Sequence, residues 1–385
     1  MNPAPSTADG VKSILLCRAG FEPALLAQLG QRLSMEPGAA RPGAFADSVE
    51  TQPCLLCLLP AALEAADARA PHPFIFERQR IERAQWIPDG PVKPTARLIV
   101  RTGFAPILRG DAPWTIHAFA AAPEGPGGLS RRAGNLADAV LEYCRDHFPR
   151  TLKRYRPPDE LRGRPPALQG SRNPPDPGAL FPILQVCATP GGVWHATMPA
   201  NRLSDPWPGG AHRKPFDQLA PSRSYLKIEE AFDMLGESPR RGQTVADLGA
   251  APGGWTYAFV KRGCRVTAVD NGPMRIPPLP PGAGSFRHMR RDGIGFEPPE
   301  SERPLDWLAC DMLIPPGQAL GMMRRWLENG WARRFIINIK LPQQQPMSAL
   351  QPLVEYLERI PDLAFGIRNL YHDRREVTLF GARDL

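Results

Sequence analysis

A glycine-rich turn preceded by an acidic residue is the clearest chemical signal in the sequence. Residues 245–256 read Val-Ala-Asp-Leu-Gly-Ala-Ala-Pro-Gly-Gly-Trp-Thr, a pattern that predicts an apolar strand, a turn and a helix beginning at Trp255. Glycines let the backbone pass close to a ligand without Cβ clashes. The turn lacks the G-x-G-x-x-G spacing of dinucleotide sites, which disfavours an NAD oxidoreductase. Asp247 instead suits a ligand with an amino group, such as the methionine end of S-adenosylmethionine.

Two further acids follow this turn at the spacing that an adenosine cofactor requires. Asp270 ends the next predicted strand, where a carboxylate can accept hydrogen bonds from both ribose hydroxyls. Asp292 follows the expected third strand, where an acid can bind the adenine amino group. Taken with Asp247, their order along the chain predicts S-adenosylmethionine as the cofactor.

Two lysines and two acids lie at predicted element ends near this site. Asp311 and Lys340 end the fourth and fifth predicted strands, and successive parallel strands end at the same edge of a sheet. Glu376 opens the last strand, whose start lies at that edge if the strand runs antiparallel. Lys227 is placed one turn into a helix that starts near Ser224, away from its apolar stripe. We expect the four side chains to share one crevice.

These four residues resemble the Lys-Asp-Lys-Glu tetrad of the RrmJ/fibrillarin-like ribose 2′-O-methyltransferases. The surrounding strings resemble the ribosomal RNA large subunit methyltransferase M family more specifically; they lie at 222–232, 247–257, 269–274, 329–331 and 370–378. That family often has Cys where this chain has Ala251, a position that contributes mainly backbone.

The resemblance implies methylation of a cytidine ribose in 23S ribosomal RNA or a large-subunit precursor, with Lys340 as the proton acceptor. The catalytic candidates are Lys227, Asp311, Lys340 and Glu376. The candidate cofactor-binding residues are Ser224, Asp247, Gly249, Ala251, Pro252, Gly253, Gly254, Trp255, Asp270, Asp292 and Asp311.

This chemistry is consistent with the residue types. A ribose 2′-hydroxyl is a poor nucleophile, so its proton must leave as the methyl sulfonium is attacked. A lysine acts as the base only when its pKa is lowered, by burial or by a neighbouring cation such as Lys227. Asp311 and Glu376 would orient the two amines, and positioning of the reacting groups supplies much of the rate.

Alternating strand and helix signals after Pro221 predict an α/β domain with a mostly parallel sheet. We expect a Rossmann-like, seven-stranded methyltransferase domain over residues 207–385. Its clearest strand signals lie at Thr244–Leu248, Arg265–Asp270, Leu305–Cys310, Phe335–Ile339 and Val377–Gly381. The N-terminal part matches the family more loosely, which implies a ferredoxin-like α+β segment at 1–90 and a THUMP-like RNA-binding domain at 91–206.

Local patterns within the N-terminal part predict several elements. They are a strand at 11–17, a helix at 21–33, a strand at 74–80, a second α+β segment from about 96 to a helix at 134–147, an exposed loop at 157–177, a hairpin of 182–187 with 193–198, and an interdomain connection at 206–210.

The formal net charge of +8 favours a polyanionic partner, although arginine-rich genomes also encode basic proteins. Three groups of basic residues could bind RNA. The first is Arg145, Arg150, Lys153, Arg154 and Arg156, interleaved with Tyr143, Phe148 and Tyr155; the second is Arg78, Arg80 and Arg83; the third is Arg287, Arg290 and Arg291. A solvated helix end explains the first group equally well, and an ordinary exposed face explains the second.

Other features narrow the class of protein. The seven cysteines are scattered, and Cys54 and Cys57 have zinc-like spacing but lack a second ligand pair, so we expect buried thiols and no metal. No apolar run approaches the ~20 residues of a membrane span. We expect a cytoplasmic monomer.

Rival activities lack their motifs. A base N-methyltransferase needs an Asn/Asp-Pro-Pro-aromatic motif after strand four, where this chain has Cys310–Leu313; the Asn173–Asp176 string precedes the cofactor domain. A cytosine-C5 enzyme needs a nucleophilic cysteine, and Asp311 is a better candidate than its neighbour Cys310. A non-catalytic RNA-binding or ribosome-assembly protein remains the alternative, but it requires neither four catalytic positions nor a complete cofactor loop.

Overall fold

The computed structural model describes residues 11–34, 49–69, 73–122, 128–161, 168–170 and 181–383. The chain forms two compact units. Unit 1 comprises Met1–Pro166 and Pro175–Ala211, and unit 2 comprises Ala167–Pro174 and His212–Leu385. The predicted connection at 206–210 therefore falls inside unit 1, where Gly209 and Gly210 are buried. The division of the N-terminal part into 1–90 and 91–206 stays a prediction.

Unit 1 contains a seven-stranded sheet in the order β2-β3-β1-β4-β7-β6-β5. Its strands are β1 (Lys12–Leu16), β2 (Glu50–Gln52), β3 (Leu55–Leu58), β4 (Gln79–Pro88), β5 (Thr115–Ala120), β6 (Pro182–Thr189) and β7 (Gly192–Pro199). Only β5 and β6 pair in parallel; the other neighbours are antiparallel. The predicted hairpin is confirmed as β6 and β7, which turn at Gly191 with a φ of +89°.

Helices cover this sheet through apolar side chains. They are α1 (Glu22–Ser34), α2 (Pro60–Arg69), α3 (Val92–Gly103), α4 (Ala105–Arg109), α5 (Leu129–His147) and α6 (Pro149–Leu152), with short 3₁₀ turns at Ala200–Arg202 and Pro208–Gly210. Ile99 of α3 and Leu136 of α5 join Leu184 and Val186 of the sheet in one buried cluster. The predicted strand at 11–17 and helix at 21–33 are confirmed by β1 and α1.

The predicted strand at 74–80 is wrong in its first part, because residues 75–76 form a turn and β4 starts at Gln79. Phe74 and Phe76 are fully buried, so their alternation imitates a strand. Side chains replace the missing strand partner. The amide of Ile75 donates to Gln28 (2.9 Å), and the amide of Phe74 donates to Glu77 (3.1 Å).

The prediction that the cysteines are buried thiols is confirmed. Cys57 lies in β3 and Cys54 in the turn before it, and all seven cysteines are buried free thiols. Within the described ranges, no cluster of His, Cys, Asp or Glu could hold a metal ion. Most of the predicted loop at 157–177, including Asn173–Asp176, lies outside the described residues. In the described part of the chain, none of the helices has the length and apolar character of a membrane span.

Unit 2 contains a second seven-stranded sheet, in the order β10-β9-β8-β11-β12-β14-β13. Its strands are β8 (Thr244–Leu248), β9 (Arg265–Val269), β10 (Ser285–Met289), β11 (Leu305–Ile314), β12 (Ala332–Lys340), β13 (Leu363–Arg368) and β14 (Glu376–Arg383). β14 runs antiparallel to both of its neighbours, and the other pairs are parallel. This arrangement confirms the predicted Rossmann-like sheet. The antiparallel direction of β14 meets the condition under which Glu376 lies at the edge where β11 and β12 end.

The helices of unit 2 are α7 (Tyr225–Leu235), α8 (Gly254–Lys261), α9 (Pro316–Glu328) and α10 (Pro346–Glu358), with a 3₁₀ turn at Glu300–Glu302. Phe232 of α7 and Phe259 of α8 meet edge to face at 5.3 Å, and both contact Trp307 of β11. This aromatic cluster holds α7 and α8 against the sheet. It thereby fixes the helix starts that carry Lys227 and the glycine turn.

Candidate active site

The glycine turn lies between β8 and α8, at the carboxyl end of the central parallel strands. Gly249 has a φ of +74°, and a Cβ there would collide with Met312. Gly253 has a φ of +118°, and a Cβ there would lie 2.8 Å from Ile276. Both positions therefore require glycine, because other residues rarely adopt a positive φ and lack the space. The backbone of the turn is left open to a ligand.

Asp247 is the most deeply buried acid of the turn, with no exposed surface. Its Oδ2 accepts a hydrogen bond from the hydroxyl of Thr256 (2.5 Å), and its Oδ1 has no hydrogen-bond partner among the described residues. Burial, with the nearby acids Asp311 and Asp270, raises the pKa of Asp247 to about 7. A buried acceptor without a donor is destabilising, so the amino group of a bound methionine moiety fits this position.

Asp270 connects the end of β9 to the same turn. Its Oδ2 accepts from the amide of Ala251 (3.1 Å) and its Oδ1 from the amide of Gly272 (2.6 Å). Each carboxylate oxygen has a second lone pair, so ribose hydroxyls can still bind there. Asp292 is exposed after β10, and its Oδ1 accepts from the amide of Ile294 (3.3 Å).

Trp255 and Ser224 join the turn to the start of α7. The indole of Trp255 is buried, and its N–H donates to the carbonyl of Ser224 (3.0 Å). Its ring therefore belongs to the core, and any contact of this residue with a cofactor has to come from its backbone. Gly254 lies directly under the hydroxyls of Ser222 and Ser224, which leaves no room for a side chain there.

Lys227 and Glu376 form the centre of the predicted tetrad. Lys227 Nζ donates to Glu376 Oε1 at 2.5 Å and lies 3.9 Å from Asp373 Oδ1. Burial by itself lowers the pKa of Lys227, but the carboxylates of Asp373, Asp311 and Glu376 outweigh burial and raise that pKa above its usual value. Lys227 is therefore held as an ammonium ion.

Asp311 is placed between this ammonium and the end of β12. Its Oδ1 accepts from the amide group of Asn338 (2.9 Å), and the hydroxyl of Ser224 also donates to it. Burial raises the pKa of Asp311, while Lys227 and Asn338 act in the opposite direction. The carboxyl group is thus oriented by one cation and two neutral donors.

Lys340 ends β12, directly across from Glu376 in the antiparallel pairing of β12 with β14. It lies two residues after Asn338 and therefore on the same face of the strand. The structure thus brings all four predicted residues to one edge of the sheet. The side chain of Lys340 is exposed in the protein alone, so of the two conditions named for a lysine base, burial is not met by the protein itself.

The sequence interpretation missed three residues of this site. Asp373 is fully buried; its Oδ2 accepts from the amide of Leu370 and the hydroxyl of Thr378, both at 3.0 Å. Asn338 is the polar residue of an otherwise apolar stretch, on the face of Lys340, and that spacing could have revealed it. Glu230 lies one turn after Lys227 on the same helix, and this spacing was the sequence signal that could have identified it.

Glu230 fixes the segment that delivers Asp373 and Glu376. It is 1% exposed and accepts from the amides of Tyr371 (2.7 Å) and His372 (3.1 Å). Lys227 and Glu230 are three residues apart and share one face of α7. Consecutive turns of this helix therefore bind the backbone and the carboxylates of the same segment.

The basic groups proposed to bind RNA differ in their surroundings. Arg78 and Arg80 are buried, the latter against Glu77 and Asp67, and the exposed Arg83 pairs with Glu64, so the second group is not a patch of exposed cations. In the first group, Arg154 donates to the carbonyls of Ala112 and Ile107.

The remaining cations vary in exposure. Arg145, Arg150, Lys153 and Arg156 are exposed. A cavity of about 470 Å³ near the last two is lined by Asp111, Pro113, Lys153, Arg154, Arg156, Glu160 and Leu161. In the third group, Arg287 pairs with Glu302, Arg290 is exposed, and Arg291 donates to the carbonyl of Gly295.

The sequence profile of FtsJ-like methyltransferases matches residues 220–349. Together with the Rossmann-like sheet and the glycine turn, this match defines unit 2 as an FtsJ-like methyltransferase domain, and its cofactor is S-adenosylmethionine. Similar proteins then narrow the class. The ribosomal RNA large subunit methyltransferase M of Azoarcus sp. is 32% identical over 395 residues, covering 98% of this chain and 98% of that protein.

Two other relatives carry the same name. The protein from Xanthomonas campestris is 30% identical over 377 residues, covering 95% of this chain and 98% of its own length. The protein from Laribacter hongkongensis is 44% identical over 189 residues, which cover 46% of this chain and 52% of its own. The chain belongs to the ribosomal RNA large subunit methyltransferase M family.

The raised pKa of Asp247 predicts a pH-dependent stability difference in the cofactor-free protein. Since the pKa of about 7 exceeds the ordinary 3.8, the folded state loses stability as the pH rises between these values. Asp247→Asn can still accept from Thr256 and removes this loss. We expect the variant to unfold with a higher free energy than the wild type at pH 8, by up to roughly 4 kcal/mol. Denaturant titrations between pH 5 and pH 8 measure the difference.

Asp292→Asn, which removes one carboxylate at an exposed position, is the matched control. A constant difference for Asp247→Asn would show that this carboxyl does not change its ionisation on folding.

The bonds of Glu230 predict a local loss of protection in Glu230→Gln. Loss of the charged acceptor weakens both hydrogen bonds and lowers stability by about 1–3 kcal/mol. We expect faster hydrogen exchange at the amides of Tyr371 and His372, and a lower kcat because Glu376 is held less firmly. Glu229→Gln is the matched control, since Glu229 pairs with Arg262 instead. Unchanged exchange at both amides in Glu230→Gln would contradict the assigned anchoring.

Proposed function

We propose that this chain transfers a methyl group from S-adenosylmethionine to the ribose 2′-hydroxyl of a cytidine in 23S ribosomal RNA. Family membership supports the coarser statement, an S-adenosylmethionine-dependent methyltransferase that acts on large-subunit ribosomal RNA. The position of the methyl group and the role of each residue are our proposals, and they rest on the geometry of unit 2.

One observation carries the proposal: two amines and three carboxylates converge beside the glycine turn. Lys227 bonds Glu376, Asp311 is bound from β12, and Lys340 lies across from Glu376. This set suits the removal of a proton from a hydroxyl and the charge that develops on its oxygen. Transfer to a base nitrogen or carbon gives no comparable reason for two lysines at this edge.

We assign the proton transfer to Lys340. Bound S-adenosylmethionine supplies an electrophilic methyl group, and the residues that would hold it are Asp247, Asp270 and the backbone of 249–254. Lys340 Nζ then accepts the proton of the 2′-hydroxyl. Because Lys340 is exposed in the protein alone, we propose that the docked RNA covers it and supplies the burial that a lysine base needs.

Lys227 has a different role in this proposal. Its raised pKa keeps it protonated, so it cannot accept the hydroxyl proton at neutral pH. Its ammonium group orients Glu376 and lies near enough to Asp311 to affect the pKa of that carboxyl. A fixed positive charge close to the reacting oxygen stabilises the oxyanion as it develops.

Unit 1 is proposed to bind RNA, in keeping with its predicted THUMP-like part. The exposed cations Arg145, Arg150, Lys153 and Arg156 are the candidates for phosphate contacts. We further propose that the protein works as a monomer in the cytoplasm, where its ribosomal RNA substrate is found. RNA is required over DNA by the reaction, since DNA has no 2′-hydroxyl.

The assignment of the base is tested at Lys340. We expect Lys340→Ala to lower kcat by about 10²–10⁴-fold, the usual contribution of a general base, while S-adenosylmethionine and RNA binding persist. Lys340→Arg keeps the positive charge but cannot release a proton near neutral pH, so it should be equally impaired. Single-turnover transfer of a labelled methyl group to a 23S RNA fragment measures both variants.

Lys261→Ala is the control, because Lys261 lies on the last turn of α8 and pairs with Asp217. Substantial activity in Lys340→Arg would reduce Lys340 to an electrostatic role. A wild-type protein that binds RNA and cofactor but transfers no methyl group would favour the non-catalytic assembly role.

A further inference from the structure

The exposed face around the tetrad carries three arginines whose side chains make no ion pair with any other described residue. They are Arg223, Arg374 and Arg375, and together we call them the arginine rim. Each is close in sequence to a residue of the site. Arg223 precedes Ser224, and the other two precede Glu376.

The backbones of Arg223 and Arg375 are hydrogen-bonded although the side chains of the rim are exposed. The amide of Arg375 donates to Glu376 Oε2 (2.9 Å), and its carbonyl accepts from the amide of Leu341 (2.9 Å), the residue after Lys340. The carbonyl of Arg223 accepts from the amide of Leu226 (3.1 Å) within the first turn leading into α7. The chain is therefore held beside the site at Arg223 and Arg375, and Arg374 is the neighbour of Arg375 in the sequence.

Several other cations of unit 2 have carboxylate partners. Arg262 binds both oxygens of Glu229, Arg334 pairs with Glu237, and Lys214 pairs with Asp233. The acids beside the arginine rim are committed elsewhere: Glu376 and Asp373 face Lys227. The rim thus keeps its positive charge facing outward, where it can attract an anion.

We propose that the arginine rim binds the phosphodiester backbone next to the target nucleotide. A ribose that reaches Lys340 carries a phosphate on each side, and guanidinium groups recognise phosphate through paired N–H donors. Phosphates held at Arg374 and Arg375 would draw the intervening ribose toward the tetrad and cover the exposed Lys340. The inference rests on the proposed function, because it requires RNA at this edge.

The salt dependence of RNA binding tests the rim. Each phosphate contact to single-stranded RNA contributes about 0.7 to the slope of log K against log salt concentration. We therefore expect Arg223→Gln, Arg374→Gln and Arg375→Gln each to reduce that slope by about 0.7 and to weaken binding about fivefold in 0.1 M salt. Phosphate contacts carry no sequence information, so a 23S RNA fragment and an unrelated RNA of equal length should be affected alike.

The matched control is Arg240→Gln. Arg240 is exposed in the same unit but precedes β8, at the opposite edge of the sheet from the rim. Its replacement by Gln changes the net charge by the same amount as each rim variant does. We expect the control to leave the slope within about 0.2 of the wild-type value. The affinity for S-adenosylmethionine should be unchanged in all four variants. In the rim variants, kcat at saturating RNA should be preserved while the KM for RNA rises.

The outcomes separate this inference from the proposed function. Rim variants that match Arg240→Gln overturn the phosphate assignment, whether or not the wild type transfers methyl groups. A loss of cofactor affinity would assign the rim to the methionine carboxylate instead, and a fall in kcat at constant KM would make it part of the catalytic machinery; both contradict the proposal. Absence of methyl transfer by the wild type, with the slopes reduced as expected, overturns only the proposed function.

Discussion

The pairing of one poorly hydrated ammonium group determines the arrangement of the whole site. Lys227 is mostly buried, and a buried charge is strongly destabilising unless opposite charges surround it. Glu376 provides a direct bond and Asp373 and Asp311 add their fields. These carboxylates belong to β14, to the turn before it and to β11, so satisfying one amine brings three distant parts of the chain together.

That requirement also explains the shape of the surrounding elements. β14 must run antiparallel, because only then does Glu376 start the strand at the edge where β11 and β12 end. α7 must begin beside the glycine turn, since Ser224 bonds both Asp311 and the indole of Trp255. The cofactor turn and the tetrad therefore share one structural support. A substitution that displaces the cofactor turn is therefore expected to displace the tetrad as well, and the reverse.

The sequence predicted the parts of this site whose signals are local. The glycine turn and the acids at the strand ends follow from spacing and from the rule that parallel strands end at one edge, whereas the direction of the last strand was left open. The apolar pattern at Phe74 and Phe76 was misleading, because burial in a turn has the same periodicity as burial in a strand. The exposure of the Lys340 side chain could not be predicted from the sequence either, because it depends on which other parts of the fold cover the end of β12.

Residues missed in the sequence act through contacts between segments far apart in the chain. Asp373 reads as one charge in a polar stretch, and only the fold places it 3.9 Å from Lys227. Glu230 shares its helix face with Lys227, but its partners are backbone amides more than 140 residues away, for which no side-chain pattern exists. Spacing within β12 could have identified Asn338, because it shares the face of Lys340.

The central claim is that this edge of the sheet methylates a ribose oxygen, and the position of the transferred methyl group tests it most directly. The purified full-length protein is given labelled S-adenosylmethionine and 23S ribosomal RNA, and the RNA is then digested to nucleosides and separated by mass. The account predicts that the label is found in 2′-O-methylcytidine, and that it disappears when the target nucleotide is replaced by 2′-deoxycytidine. Label on a base nitrogen or carbon, or label that survives the deoxy replacement, would contradict the account.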